Sequence, residues 1–347
     1  MIDDIIGHRS AVDLLLSDVA NPVHAYLFVG PANVGKATVA RGFAAALLCA
    51  DDPECTRRAI AGVHPDAVVV EPDGRTALTV ERARSAVTLA SLAPVEGARQ
   101  VFLIPEAGLM NDESANALLK TLEEPQPSTV FVLVAESEDA FPATVASRCR
   151  TVVFGRVTED EIEAALVNRG IPADQAEKAA RISGGRPGLA LALATQPEVA
   201  SFRRAWLGVP LRLSAAPGDA YRLAAEVVEA ANPLLEALKE RHAAQAEVAP
   251  DSSAAAERHE RELRRASSSL HETGLEILLS FYRDVAAAQL GAPVRNRDLP
   301  PAALTVCAPP AAVRRAERIL ETFEVLEANQ RPQLAFASLF ADLGAET

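Results

Sequence analysis

The feature that leaves the fewest choices is a pair of short apolar runs, Gln100–Ile104 and Thr129–Ala135, on either side of a helical segment. Each run is too short for a buried helix, is rich in strand-favouring side chains, and lacks the apolar-polar alternation of a strand wetted on one face. Strands that read this way are covered on both faces, as in a parallel sheet. Between them Ala115, Leu118, Leu119 and Leu122 recur at helical spacing over residues 112–124, and Pro125 stops the helix. The unit is strand, helix, strand.

The same alternation runs through the preceding chain. Residues 10–19 read as a helix with Ser10 as its N-cap and Val12, Leu15, Leu16 and Val19 on one face. A short apolar strand at 24–29 ends at Gly30, a helix covers 36–48, and a strand at 68–71 leads into a turn at Pro72-Asp73-Gly74. A helix at 79–92 places Val80, Ala83, Val87 and Leu92 on one face, and a strand at 151–154 closes the sheet. Such alternation predicts an α/β core, a parallel sheet with helices on both faces.

Between the strand at 24–29 and the helix at 36–48, residues 30–38 read GPANVGKAT. Gly30 and Gly35, followed by Lys36, match a phosphate loop, in which glycines let backbone N–H groups curl around phosphate and the lysine supplies positive charge. The loop type also calls for a Ser or Thr hydroxyl directly after the lysine to ligate Mg²⁺. Ala37 stands there. Thr38 comes one residue later, a rotation of about 100° on a helix, and should point away from the metal.

Composition bounds the remaining choices. At 347 residues and 49% hydrophobic content the chain can bury a sizeable core and divide into two or three domains. There are 34 basic and 47 acidic side chains, a net charge of −13. Residues 1–155 hold 12 of the basic and 20 of the acidic ones, which is −8 and leaves −5 for the rest. Bulk charge therefore excludes a polyanion-binding domain, and contact with DNA would need a local patch or partner subunits. Cys49, Cys55, Cys149 and Cys307 are too few and too scattered for a disulfide framework. No apolar segment reaches the ~18 residues of a membrane span and the N-terminus has no signal core, so a reducing cytoplasm is expected.

From residue 158 the strands stop. Thr158-Glu159-Asp160-Glu161 is a capping box that opens a helix running to Gly170, and further short helices follow at 173–182 and 189–193. The stretch 198–347 is helical and alanine-rich, with a polar interval at 243–257 that contains Pro250. The expected domains are a core at 1–155, a helical lid at 156–197 and an all-α region at 198–347.

The segment 111–150, NDESANALLKTLEEPQPSTVFVLVAESEDAFPATVASRCR, resembles the corresponding stretch of bacterial DNA polymerase III clamp-loader subunits, a family of AAA+ proteins. The run ANALLKTLEEP and the later Ser147-Arg148-Cys149 triplet carry the likeness. Weaker matches extend it across the chain: HAYLF before the loop, ERHERELRR at 257–265, the stretch around Leu275–Asp284, Asn296-Arg297-Asp298, and ANQRPQL at 328–334.

The resemblance implies an AAA+ core, a lid and a C-terminal collar that carries oligomerisation. It implies partners too: gamma/tau and delta subunits in a pentameric ring, the sliding clamp, and primer-template DNA reached through the assembly. In active relatives a strand ends in Asp-Glu, the Asp holding Mg²⁺ and the Glu polarising water; here Pro105 and Glu106 stand at those positions. With Ala37, two metal contacts are missing, which favours a non-hydrolysing, delta-prime-type member over a gamma/tau-type motor. A small-molecule kinase would have no use for lid and collar helices. No cofactor is then required, ATP or ADP can bind without turnover, and no metal site is expected. Many relatives carry a four-cysteine zinc knuckle before an HPD triplet. Here Cys49, Cys55 and His64 supply at most three ligands, so zinc is not expected and the cysteines read as leftover thiols. Arg186 lies near the helix that carries the second sensor arginine of active relatives, with capping and packing as its expected role. In the family the arginine of the Ser-Arg-Cys triplet reaches the ATP site of the adjacent subunit, so Arg148, with Ser147 and Cys149 as its context, is the candidate catalytic group in trans. Gly30, Gly35 and Lys36 form the vestigial phosphate loop.

Overall fold

Strands β1 (Ala25–Val29), β2 (Ala67–Val69), β3 (Gln100–Ile104), β4 (Thr129–Ala135) and β5 (Arg150–Val153) pair in parallel in the order β2-β3-β4-β1-β5. The computed structural model describes residues 5–31, 33–50, 52–72, 78–138, 142–246, 253–327 and 330–345. Ala32 of the loop, the Asp73-Gly74 turn, the part of the polar interval around Pro250, and Ala328-Asn329 lie outside the described residues.

Both faces of the central strands β3, β4 and β1 are dry, as the apolar runs predict. Helices α1 (Arg9–Asp18), α2 (Lys36–Cys49) and α3 (Pro53–Ile60) precede β2, α4 (Val80–Ala90) precedes β3, and α5 (Asp112–Glu123) joins β3 to β4. On one face Leu27, Phe102, Phe131 and Leu133 meet Ala83, Ala86 and Ala90 of α4 and Leu118 and Leu122 of α5. On the other face Tyr26, Phe28, Leu103 and Val132 meet Leu15 of α1 and Val39 and Phe43 of α2. Alternate residues of each strand thus serve opposite layers, and each large apolar side chain so buried stabilises the core by about 1.5–3 kcal/mol.

Three local readings differ from the structure. Ser10 lies inside α1, which starts at Arg9 after His8 turns the chain with φ 58. Tertiary contact decides this start, because the His8 ring is held against the phosphate loop. Leu92 is 54% exposed, because α4 ends at Ala90 and docks through its alanines, whose small side chains let it lie close to the sheet. Helix α3 falls where no element is expected; Asp52 caps it by accepting from the Glu54 N–H, and Pro53 fits its first turn.

After β4, the short helix α6 (Ala143–Ala146) leads to β5, followed by α7 (Glu159–Asn168), α8 (Ala173–Ser183) and α9 (Pro187–Thr195). The capping box at Thr158 forms in full. Arg186 is buried and its Nε donates to the Ser183 carbonyl at the end of α8. Contacts divide the chain into residues 1–191 and 192–347, so most of the 156–197 segment groups with the sheet.

The second unit consists of α10 (Pro197–Gly208), α11 (Pro217–Glu229), α12 (Asn232–Ala246), α13 (Ser253–Gln289), α14 (Pro309–Glu327) and α15 (Pro332–Ala345), with short 3₁₀ turns between. Its core centres on Trp206, whose ring packs against Phe336 and lies over Gly274, where a Cβ would come within 2.0 Å of the indole. The Asn296-Arg297-Asp298 segment closes a buried polar network. Arg203 donates to Asp298 and to Asn296, and Asp284, fully buried, accepts from the backbone N–H groups of Arg295 and Asn296.

Asp66 braces the entry to β3. It is fully buried, and its carboxylate accepts from the N–H groups of Val95, Glu96 and Gly97 at 2.6, 2.8 and 3.0 Å. Burial alone would raise this carboxyl, but the three backbone donors outweigh it and hold it below the usual carboxylate range. A lowered folded value means the contribution is present above the unfolded value of about 3.9 and lost as pH falls through the folded one. Asp66→Ala is expected to cost about 2–4 kcal/mol in urea unfolding at pH 7. The gap from the parent protein should narrow as the pH is lowered past 4 (approximate).

Candidate functional site

The central strand β1 leaves the sheet at Gly30, whose N–H donates to the Glu136 carbonyl at the end of β4. Gly30 has φ 150, and a Cβ there would stand 2.0 Å from the Phe154 carbonyl oxygen, so no other residue fits the turn. Asn33 and Gly35, with φ 61 and 107, complete the reversal that opens α2. Gly35 is the N-cap and supplies no side chain, so no side-chain cap answers the first N–H groups of α2. The structure thus brings Gly30, Gly35 and Lys36 together in one loop.

Lys36 is buried, and its Nζ donates to the carbonyls of Gly30 and Pro31 at 2.6 Å each. Burial lowers its pKa, and the Glu136 carboxylate acts in the opposite direction. The register sets Val29 beside Ala135, so Glu136 follows directly at the mouth of the loop. His8, which the sequence reading passes over, braces the loop from outside: its Nε2 donates to the Val34 carbonyl at 2.8 Å and its ring packs edge-on against Phe154. Only its place in the IIGH opening could have marked it. Thr38 is exposed, and Pro105 and Glu106 lie half-buried where β3 ends.

The Ser-Arg-Cys triplet lies elsewhere. Arg150 is level with Tyr26 in the β5–β1 register, four residues before Gly30, and a strand advances ~3.3 Å per residue. Arg148 therefore stands at the edge of the sheet where strands begin, roughly 13 Å or more from its own loop, at the edge where strands end. Its Nη1 donates to the Thr144 carbonyl at 2.6 Å and its Nη2 to Glu123 Oε1 at 2.5 Å, and the side chain remains 34% exposed. Arg150 is engaged on another side, with Asp18, which also accepts from the Tyr26 hydroxyl. Ser147 caps α6 with its Oγ on the Thr144 carbonyl, and the Cys149 thiol points to the Val145 carbonyl.

Cys49 and Cys55 are joined in a disulfide, not left as thiols. The tight turn from α2 to α3 brings their Cα atoms to 5.4 Å; spacing alone does not reveal where two Cβ vectors point. His64, also buried, brings a ring nitrogen within 4.8 Å of both sulfurs. Its Nδ1 accepts from the Asp66 N–H. Disulfide sulfurs are not thiolates, so these donors fit a zinc ion only after reduction.

A five-stranded parallel sheet with a glycine-rich loop between its central strand and a helix, followed by short helices, defines a phosphate-loop protein of the AAA+ type. Residues 8–158 match the family described as DNA polymerase III, delta subunit. Over that segment the chain is similar to DNA polymerase III clamp-loader subunits. It is 34% identical over 197 residues to the DNA polymerase III subunit delta' of Pseudomonas aeruginosa, covering 53% of this chain and 60% of that protein. It is 32% identical over 157 residues to subunit delta' of Bacillus subtilis, 43% of this chain and 47% of that one. It is also 31% identical over 183 residues to subunit tau of Bacillus subtilis, covering 50% of this chain and 32% of the relative. The matches thus span between a third and three fifths of these relatives' lengths. Among the described residues, no helix is long and apolar enough to cross a membrane.

Cys149 bears on the triplet's chemistry. Burial pushes its thiol up to about 12, so at pH 8 only about one molecule in ten thousand carries the reactive thiolate. Iodoacetamide should therefore label Cys149 in the folded protein orders of magnitude more slowly than in urea, with a rate that climbs as pH rises.

Proposed function

We propose that this protein is a delta-prime-type clamp-loader subunit that does not hydrolyse ATP and supplies Arg148 to the ATP site of an adjacent motor subunit. One observation carries the reading: the chain's own loop lacks both metal-holding side chains, while a guanidinium stands at the far edge of the sheet, out of reach of that loop. Arginine suits the task because it is always protonated and its planar fork matches phosphate oxygens. On this reading residues 1–155 are the core, 156–197 the lid, and 198–347 the collar that joins a ring of gamma/tau and delta subunits. The ring opens the sliding clamp on primer-template DNA in the cytoplasm.

The loop's donors suit a phosphate and not a metal ion. The open space at Gly35, the N-terminus of α2 and Lys36 fit a phosphate group. Ala37 and Pro105 do not fit Mg²⁺, since neither side chain carries an oxygen. The loop can thus hold ATP or ADP while the chain lacks the metal-borne charge neutralisation that phosphoryl transfer needs.

The isolated protein should turn over no ATP above background, and equilibrium dialysis with labelled ATP should give the same affinity with and without Mg²⁺. A strong Mg²⁺ dependence would contradict the assignment of Ala37 and Pro105. In the reconstituted loader, Arg148→Ala should leave the ring assembled yet lower single-turnover hydrolysis at the neighbouring site by roughly 10³-fold. An unchanged rate there would overturn the reading.

A further inference from the structure

Arg148 is not a free side chain. Its guanidinium bridges the C-terminal ends of two helices, with Nη1 on the Thr144 carbonyl in α6 and Nη2 on the carboxylate of Glu123, the last residue of α5. The last carbonyls of a helix carry partial negative charge, which favours a cation at this position. The Ser147 Oγ lies beside Nη1 at 3.5 Å. Each terminal nitrogen of the fork has two N–H groups and Nε has one more, so donors remain for an incoming anion after Thr144 and Glu123 are served. Both partners of the ion pair are partly exposed, 34% for Arg148 and 48% for Glu123, so the pair orients the guanidinium without removing it from the surface.

We propose that Glu123 is a positioning residue for Arg148. It holds the guanidinium extended at the sheet edge so that the fork meets a γ-phosphate in one arrangement. This rests on the reading that Arg148 serves a neighbour's ATP site. A surface pair of this kind is weak, and a finger's effect on phosphoryl transfer is large, so the role of Glu123 is geometric. An ordered arginine loses less side-chain freedom when it engages phosphate than one sampling many rotamers. The Glu123–Arg148 pair also ties the end of the ANALLKTLEEP segment to the Ser-Arg-Cys triplet, 25 residues apart in sequence.

The test uses the reconstituted loader, with only the site facing Arg148 active, and single-turnover hydrolysis measured against ATP concentration. Glu123→Ala should lower the maximal rate on the order of tenfold, short of the 10³-fold or more expected when a finger is removed, with little change in half-saturating ATP. Glu123→Gln keeps an oxygen at the same reach and should recover part of the loss. In an Arg148→Ala background, Glu123→Ala should have no further effect, because its role runs through the guanidinium.

Thermal unfolding of each variant separates folding from positioning. A fall of equal size in the Arg148→Ala background would assign Glu123 a merely structural role and overturn the proposal. So would an unchanged or faster rate with Glu123→Ala in the parent background. If Arg148→Ala lowers the rate and Glu123→Ala does not, positioning fails alone. If Arg148→Ala has no effect, the functional reading and this inference fall together.

Discussion

The parallel register of β1 with its two neighbours is the constraint on which the rest depends. Because β4 and β5 run alongside β1, everything that follows a strand gathers at one edge and everything that precedes one gathers at the other. Gly30, Lys36, Glu136 and Pro105 all follow strands; Arg148 precedes one. The fold therefore cannot bring the arginine to its own loop without breaking the β1–β5 pairing. That separation is what makes a role between subunits physically sensible.

Each edge is held by charges answered locally. At the loop, Lys36 is satisfied by two carbonyls of the turn it belongs to, which avoids the cost of a buried and unpaired ammonium. At the opposite edge, Asp18 and Glu123 take separate arginines of one short stretch, Arg150 and Arg148. Deeper in the core, Asp66 collects three N–H groups that no strand partner claims. In the helical unit Asp284 does the same for the turn at Arg295 and Asn296. These side chains fix loops, where apolar contact is sparse.

Much of the core was legible because its signals are local. β3 and β4 are bounded in the sequence by where the apolar runs end, α5 at its end by Pro125, and α7 at its start by its capping box. The phosphate loop is legible for the same reason: contiguous residues build it. What could not be read are contacts between distant residues. His8 reaches Val34, Asp66 reaches the turn at Val95, and Glu123 reaches Arg148, and in none of these does either residue carry a mark of its partner. The Cys49–Cys55 bond belongs here as well, since it depends on how sharply α2 turns into α3.

The sequence by itself determined the alternation of strand and helix, the glycines that the loop requires, and the missing oxygens at Ala37 and Pro105. Those follow from side-chain chemistry and periodicity, which are properties of neighbouring residues. Only the tertiary structure decided that α1 starts after His8, that α4 docks through alanines, and that Arg148 is oriented by Glu123 while Arg150 turns to Asp18. Each of those depends on which surfaces meet when the sheet assembles, and strand pairing brings together groups far apart in the chain that no local pattern links.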